Sequence, residues 1–266
     1  MKKIFIIIAV IAFSITAGLA QSADDIISKF ITATGGQAKL DSITTLQYVQ
    51  TIKFVTPMGN MDLPVENFIE KNKLNRKQTS SPMGGSGFTL ISDTAGYMYL
   101  PANPFMDESM SGLKKMESPA YEGSKYLLEA EGFFPELVNY TTKGTTATLL
   151  AEEKINKKEN YKIRLTLKNG GEIIYFIDKE TNLVTRKTLK GSMAVQSSGL
   201  GAMMAGGDKG KTDKFEVTTD YKDYKNVNGL MLPSKGVTKT VMGNSEMDFS
   251  NIKINQSIDA KWYIAE

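Results

Sequence analysis

The chain contains no histidine and no cysteine. That removes Ser-His and Cys-His nucleophilic pairs, His-ligated zinc and thiolate metal sites together. Any turnover would fall to Ser, Thr, Asp, Glu, Lys or Tyr alone. Carboxylates stand close in sequence at Glu129 and Glu131 and at Glu152 and Glu153, but no spacing singles out a general acid, and they read as solvated side chains. Gly84-Gly85-Ser86-Gly87 lacks the lysine and following helix of a phosphate cradle, so it reads as a strand connection. Met58 with Met61, and Met106 with Met110, offer soft sulfur to copper. Without His or Cys beside them, core filling or an apolar surface explains these methionines better. No cofactor is expected.

Greasy surface is the chemistry that remains. Residues 191–211, GSMAVQSSGLGAMMAGGDKGK, lack periodicity and are rich in Gly, Ser, Ala and Met. They read as a long flexible loop, either a connector without fixed structure or a lid whose tip, with Met203 and Met204, suits irregular apolar ligands. The basic cluster Lys209 to Lys214 is broken by Gly210, Thr212 and Asp213 and reads as a solvated loop, so nucleic acid is not an expected partner.

The elements that must carry such a surface begin after an export signal. Met1-Lys2-Lys3, the apolar run Ile4 to Ile15 and the small residues Ala17, Gly18 and Ala20 form a signal-peptide pattern with cleavage expected after Ala20. Loss of Lys2 and Lys3 takes 32 basic residues to 30 against 29 acidic ones, so the net charge falls from +3 to +1. An exported chain without cysteine has no disulfides and relies on its core alone. One domain, 21–266, is expected.

Ser22 with Asp25 three residues on is a capping box, and Ile26, Ile27, Phe30 and Ile31 form the apolar face of a first helix that Gly35-Gly36 stops. A meander of short strands follows, broken between Pro101 and Pro119. Ser118 and Pro119 then start a helical insertion that carries Tyr121, Leu127 and Leu128 to Gly132 and continues through Phe133 and Phe134. The clearest strand is Tyr161 to Leu167, where Tyr161, Ile163, Leu165 and Leu167 alternate with polar residues. Asn169-Gly170 predicts a type I′ hairpin into Glu172 to Asp178, which is apolar on both faces. Asp178 to Asn182 is a turn whose short polar side chains bond their own backbone. Near the end, Met247 and Phe249 have one parity while Ile252 and Ile254 have the other, which predicts a bulge near Asn251.

Tyr175-Phe176-Ile177-Asp178 followed by Thr181, Leu183 and Arg186 resembles a pattern of the outer-membrane lipoprotein carriers of the LolA/LolB-like fold. Tyr221-Lys222-Asp223-Tyr224-Lys225 with Asn228-Gly229-Leu230 and Leu232-Pro233, and Ala33-Thr34-Gly35-Gly36 closing the first helix, are similar to other parts of the same family. The resemblance implies a mainly β (α+β) domain: a single antiparallel, incompletely closed barrel or curved sheet with helices over its concave side. It also implies lipoprotein acyl chains or another apolar ligand as cargo, an inner-membrane transporter and an outer-membrane acceptor as partners, and a periplasmic location. Arg76, Arg164 and Arg186 are the only arginines, and none matches the family's lid arginine.

The expected cradle draws Phe54, Phe68, Tyr97 and Tyr99 from the first strands. Leu127 and Phe133 come from the insertion, with Ile174 and Phe176 as its floor. Burying a chain of roughly sixteen carbons at about 0.8 kcal/mol per CH2 offers on the order of 12 kcal/mol before ordering costs, so no catalytic residue is needed. A non-catalytic interaction module of the cell envelope, using the same sheet with its cavity filled by its own side chains, is the alternative.

Overall fold

Period-two alternation and closely spaced turns give the chain a meander that runs in two halves. The computed structural model describes residues 21–56, 59–80, 85–102, 108–198, 215–240 and 243–266. Residues 1–20, where an export signal is expected, and Met58, Met106, Met203 and Met204 lie outside the described residues. The first half holds β1 (Thr45–Thr56), β2 (Gly59–Glu70), β3 (Leu74–Ser80), β4 (Ser86–Ser92), β5 (Gly96–Leu100) and β6 (Gly112–Lys115). The second holds β7 (Thr146–Ile155), β8 (Lys158–Thr166), β9 (Glu172–Asp178), β10 (Val184–Lys190), β11 (Glu216–Val227), β12 (Leu230–Thr240) and β13 (Gly243–Ile254). They form one antiparallel sheet of 13 strands in the order β6-β5-β4-β3-β2-β1-β13-β12-β11-β10-β9-β8-β7. The halves join where β1 pairs with β13, with Leu46 opposite Ile254 and Ile52 opposite Met247. β6 and β7 remain as the two edges, so the barrel is not closed. β6 was not foreseen in the Pro101 to Pro119 break; it is a four-residue edge strand whose Leu113 is exposed.

Helices cover one face. α1 (Ala23–Thr34) starts on the expected capping box, Ser22 and Asp25 each accepting a backbone N–H from the other. Its Ile26, Ile27, Phe30 and Ile31 are buried, and it packs on β7 and β12. Gly35 ends it at φ +141; a Cβ there would meet the Gly229 carbonyl oxygen at 2.7 Å, so the helix end presses on the β11–β12 turn. α2 (Gln37–Asp41) follows. The insertion between β6 and β7 is less helical than expected. α3 (Ser118–Ser124) gives way to 3-10 turns at Lys125–Leu128 and Pro135–Leu137, and Glu117 rather than Ser118 occupies the cap position. Residues 191–211 are also not a loop from their start: Gly191–Ser198 is helix α4, with Met193 and Ala194 buried.

Two Asn-Gly pairs fold differently, and the difference decides the faces of the sheet. Asn228 and Gly229 both have positive φ, a two-residue type I′ turn pairing Val227 with Leu230. At Asn169-Gly170 only Gly170 is left-handed, and its N–H bonds to the Leu167 carbonyl at 2.8 Å. Lys168 and Asn169 are therefore the turn's centre, and Gly170 forms a bulge. The predicted type I′ turn would have set Ile163 opposite Phe176 and Leu165 opposite Ile174. The observed pairs are Ile163 with Tyr175 and Leu165 with Ile173. A slip of one residue exchanges the two faces of a strand.

The other local expectations match. The Asp178 carboxylate accepts N–H groups from Glu180 and Thr181, both at 2.9 Å, and Asn182 has φ +56. Asn251 has φ +52 at a register shift opposite Tyr48. That bulge keeps Phe249 and Ile252 on the same face despite their opposite parity.

Candidate ligand cavity on the concave face

Cross-strand register assembles the site. Tyr48, Gln50, Ile52 and Phe54 alternate along β1, and Gln50 and Ile52 stand opposite Phe249 and Met247 of β13. Val217, Thr219 and Tyr221 of β11, with Lys187 and Leu189 of β10, continue the same face. The insertion roofs it with Tyr126, Leu127, Phe133 and Glu136. Between sheet and roof lies a cavity of about 510 Å3, a size and apolar character that suit a small-molecule ligand.

Two adjacent phenylalanines divide the concave side. Phe134 is buried and makes edge contacts with Phe30, Tyr175 and Tyr221 at 6.1, 6.1 and 4.9 Å, so it pins the roof and α1 to the second half of the sheet. Phe133 is half-buried and faces the cavity, 4.8 Å from Tyr48 and 5.2 Å from Phe249. The Tyr48 and Tyr221 hydroxyls are held protonated, chiefly because burial disfavours the phenolate.

The polar groups concentrate at one end. Lys187 lies 2.6 Å from Glu136, whose other oxygen accepts the Tyr175 hydroxyl at 2.7 Å. Burial pushes the Glu136 carboxyl up, but Lys187 and Tyr175 outweigh it and hold the pKa below the usual carboxylate value. Glu129, 2.9 Å from Lys143, is pushed up to about 7, by desolvation first. Lys77 of β3 lines the cavity and is lowered to about 8 by burial, with the Lys187 charge adding to it. It keeps accessible surface toward the cavity, while the enclosing walls withhold bulk water. Glu131, expected to be solvated, is buried and paired with Lys71 at 2.8 Å. Glu152 and Glu153 pair with Lys179 and Lys162 in the more exposed setting expected of them. Among the described residues, no group of three or more His, Cys, Asp or Glu side chains is placed to hold a metal.

Phe54, Leu127 and Phe133, three of the expected cradle residues, line the cavity. Ile174 and Phe176 do not: the Lys168-Asn169 turn puts Ile173, Tyr175 and Ile177 on the concave side and turns Ile174 and Phe176 outward. There Phe176 lies beneath Lys162 and Arg186, 5.1 and 5.7 Å from its ring centroid. Phe68, Tyr97 and Tyr99 also face outward, in a cluster under the C-terminal segment with Phe88, Leu90 and Trp262. β1 has an ordinary register with β2, so Phe68 stands beside Gln47 and not beside Tyr48. The residues missed, Tyr48, Tyr221, Phe249 and Lys77, sit in alternating strands, but their common face depends on the pairing of β1 with β13. The Met247/Phe249 parity break was the one sequence signal pointing there.

An antiparallel sheet that stops short of closure, with helices roofing its concave side, defines a LolA-like fold, and the solved structures it resembles bear this out. A LolA superfamily protein from Nitrosomonas europaea aligns over 91% of this chain and 97% of its own at TM-score 0.55 and 14% identity. An outer-membrane lipoprotein-sorting protein domain from Vibrio parahaemolyticus, named as such on a provisional basis, aligns over 90% and 95% at TM-score 0.52 and 12% identity. A DUF1329 family protein from Desulfovibrio piger aligns over 91% and 95% at TM-score 0.54 and 10% identity. By sequence, no family model and no curated protein matches the chain. No helix among the described residues is long and apolar enough to cross a membrane.

Proposed function

We propose that this chain is a periplasmic carrier for lipidated or otherwise hydrophobic cargo, which holds acyl chains in the concave cavity without catalysis. The observation that carries this reading is an aromatic-walled space of about 510 Å3 that the chain's own described side chains leave unfilled between sheet and roof. The shared fold supports it, since two of the similar structures carry LolA or lipoprotein-sorting names. Sorting of lipoproteins to the outer membrane, with a transporter at the inner membrane and an acceptor at the outer one, is the role this reading implies. Export by cleavage after Ala20 belongs to the same proposal.

Native mass spectrometry of protein purified from the periplasm, together with displacement of a fluorescent fatty acid, tests it. Copurified lipid adducts and saturable displacement are expected, both lost in Phe249→Asp, which sets a carboxylate in the aromatic wall. No adduct and no uptake would overturn the carrier reading. A stable protein partner without lipid would favour an interaction module instead.

A further inference from the structure

The length of the cavity and its volume correspond to the same hydrocarbon chain. Tyr48 and Phe54 both line it from β1, and the stretch of strand between them spans about 20 Å at roughly 3.4 Å per residue. An extended chain with bonds of about 1.5 Å advances roughly 1.3 Å per carbon, so that length takes about sixteen carbons. A methylene group takes about the space of one water in the liquid, roughly 30 Å3, so 510 Å3 holds about seventeen of them. Length and volume agree only if the space is one chain wide. Its inner end is also held narrow. Tyr48 and Phe133 lie 4.8 Å apart, Phe133 and Phe249 5.2 Å, and Tyr48 and Phe249 6.2 Å, while Tyr221 stacks on Phe249 at 6.3 Å. Beyond these rings Phe134 packs on Tyr175, and Glu136 of the roof is held 2.6 Å from Lys187 of β10, so roof and sheet are tied together on that side. Room for a second chain would require these ring contacts to part. At the other end Thr240, Asn244 and Ser245 line the cavity beside the β12–β13 turn, and Asn244 is exposed, which makes this end the mouth.

Resting on the reading of this cavity as a site for apolar cargo, we infer that it takes one acyl chain at a time and measures it: the guest is a single unbranched chain of about sixteen carbons, inserted past Phe54 with its end at Tyr48, Phe133 and Phe249. Cargo that carries two or three chains seats one of them and leaves the rest, with the head group, outside the mouth. Affinity then follows the length of the seated chain up to the depth of the cavity, and the number of chains adds nothing.

Two titrations of the full-length protein test this. In the first, saturated fatty acids from decanoate through palmitate to docosanoate displace a fluorescent fatty acid. Affinity is expected to rise about fourfold per added CH2 as far as palmitate and to flatten beyond it. Ile52→Trp, which adds a ring to the wall between Tyr48 and Phe54, should move that break to a shorter chain. In the second, palmitoyl-lysophosphatidylcholine is compared with dioctanoylphosphatidylcholine, which has the same head group and the same number of acyl carbons split between two chains. The one-chain lipid should bind at least about tenfold more tightly, because half of the other's hydrocarbon stays outside. Equal affinity for the two lipids would overturn the inference, as would an affinity that keeps rising through docosanoate or a break left in place by a folded Ile52→Trp. The wild-type series decides the matter if that variant does not fold. If no member of either set binds, the reading of the cavity as an apolar site fails, an outcome distinct from binding without a limit on length or chain number.

Discussion

On the outer face of the sheet Phe68 stacks on Trp262 at 4.4 Å, and Arg76 lies between Phe88 and Trp262 at 4.0 and 5.4 Å. The Arg76 guanidinium also donates to the Ile264 carbonyl at 2.6 Å, so the C-terminal segment straps this face. On the concave face Tyr48, Phe133 and Phe249 come as near to one another, at 4.8 to 6.2 Å, yet they surround a space. Both faces carry aromatic rings and a buried or enclosed cation. What separates them is the covering: the strap lies flat on one, whereas the roof over the other is pinned by Phe134 at its edge and held off by Phe133. Aromatic content alone therefore does not mark a ligand site; the shape of the covering element does.

The largest effect that would test this contrast is loss of the pin. Phe134→Ala should destabilise the protein by about 3–5 kcal/mol in urea unfolding, because it removes three ring contacts from a buried position. Its neighbour Phe133→Ala should cost about 1 kcal/mol or less and instead weaken ligand uptake. If the two variants behave alike, the division of the concave side is wrong. Next, Trp262→Ala should lower stability by roughly 2 kcal/mol through the lost stack and cation contact while leaving ligand affinity as it was. Fluorescent fatty acid titration beside thermal melts separates those outcomes.

Leu189→Asp on the concave face should abolish uptake, whereas Ile174→Asp on the outer face should bind ligand as the wild type does. Reversal of that pair would restore the type I′ register. The smallest effect is in pH. Desolvation raises the Glu129 carboxyl to about 7 from an ordinary value of 4.5, so its folded form prefers the proton. Stability from this group is fully present below about pH 4.5 and is lost as pH rises toward 7, by up to roughly 3 kcal/mol. Glu129→Gln should flatten that part of the stability profile, and an unchanged profile would show that Lys143 compensates fully.

Much of the fold was legible because its signals are local. The Ser22 and Asp25 box, the alternation from Tyr161 to Leu167, the Asp178 turn and the parity break at Asn251 each depend on residues within a few positions of one another. The resemblance at Tyr175 to Asp178 pointed to the right fold. The roof was misread as longer helix because Gly132 and Pro135 interrupt it, and 3-10 turns have no strong pattern of their own. The head of α4 was misread because a Gly- and Ser-rich composition hides a helix that packing stabilises, with Met193 and Ala194 buried.

The candidate site was half legible. Apolar strands and an aromatic insertion indicated a greasy concave surface, which follows from residue types alone, and Phe54, Leu127 and Phe133 of the expected cradle do line the cavity. Which apolar set faces the cavity was decided elsewhere. Asn169-Gly170 permits two hairpin geometries that differ by one residue of register, and packing of Tyr175 against Phe134 and Glu136 accompanies the one adopted. The meeting of Tyr48 with Phe249 needs β1 and β13 to pair across about two hundred residues, a contact with no local sequence signature. The sequence by itself determined the strands, the caps and the kind of surface; tertiary pairing and the roof decided where that surface stays open, because a strand's two faces are exchanged by a single step that only its neighbours can fix.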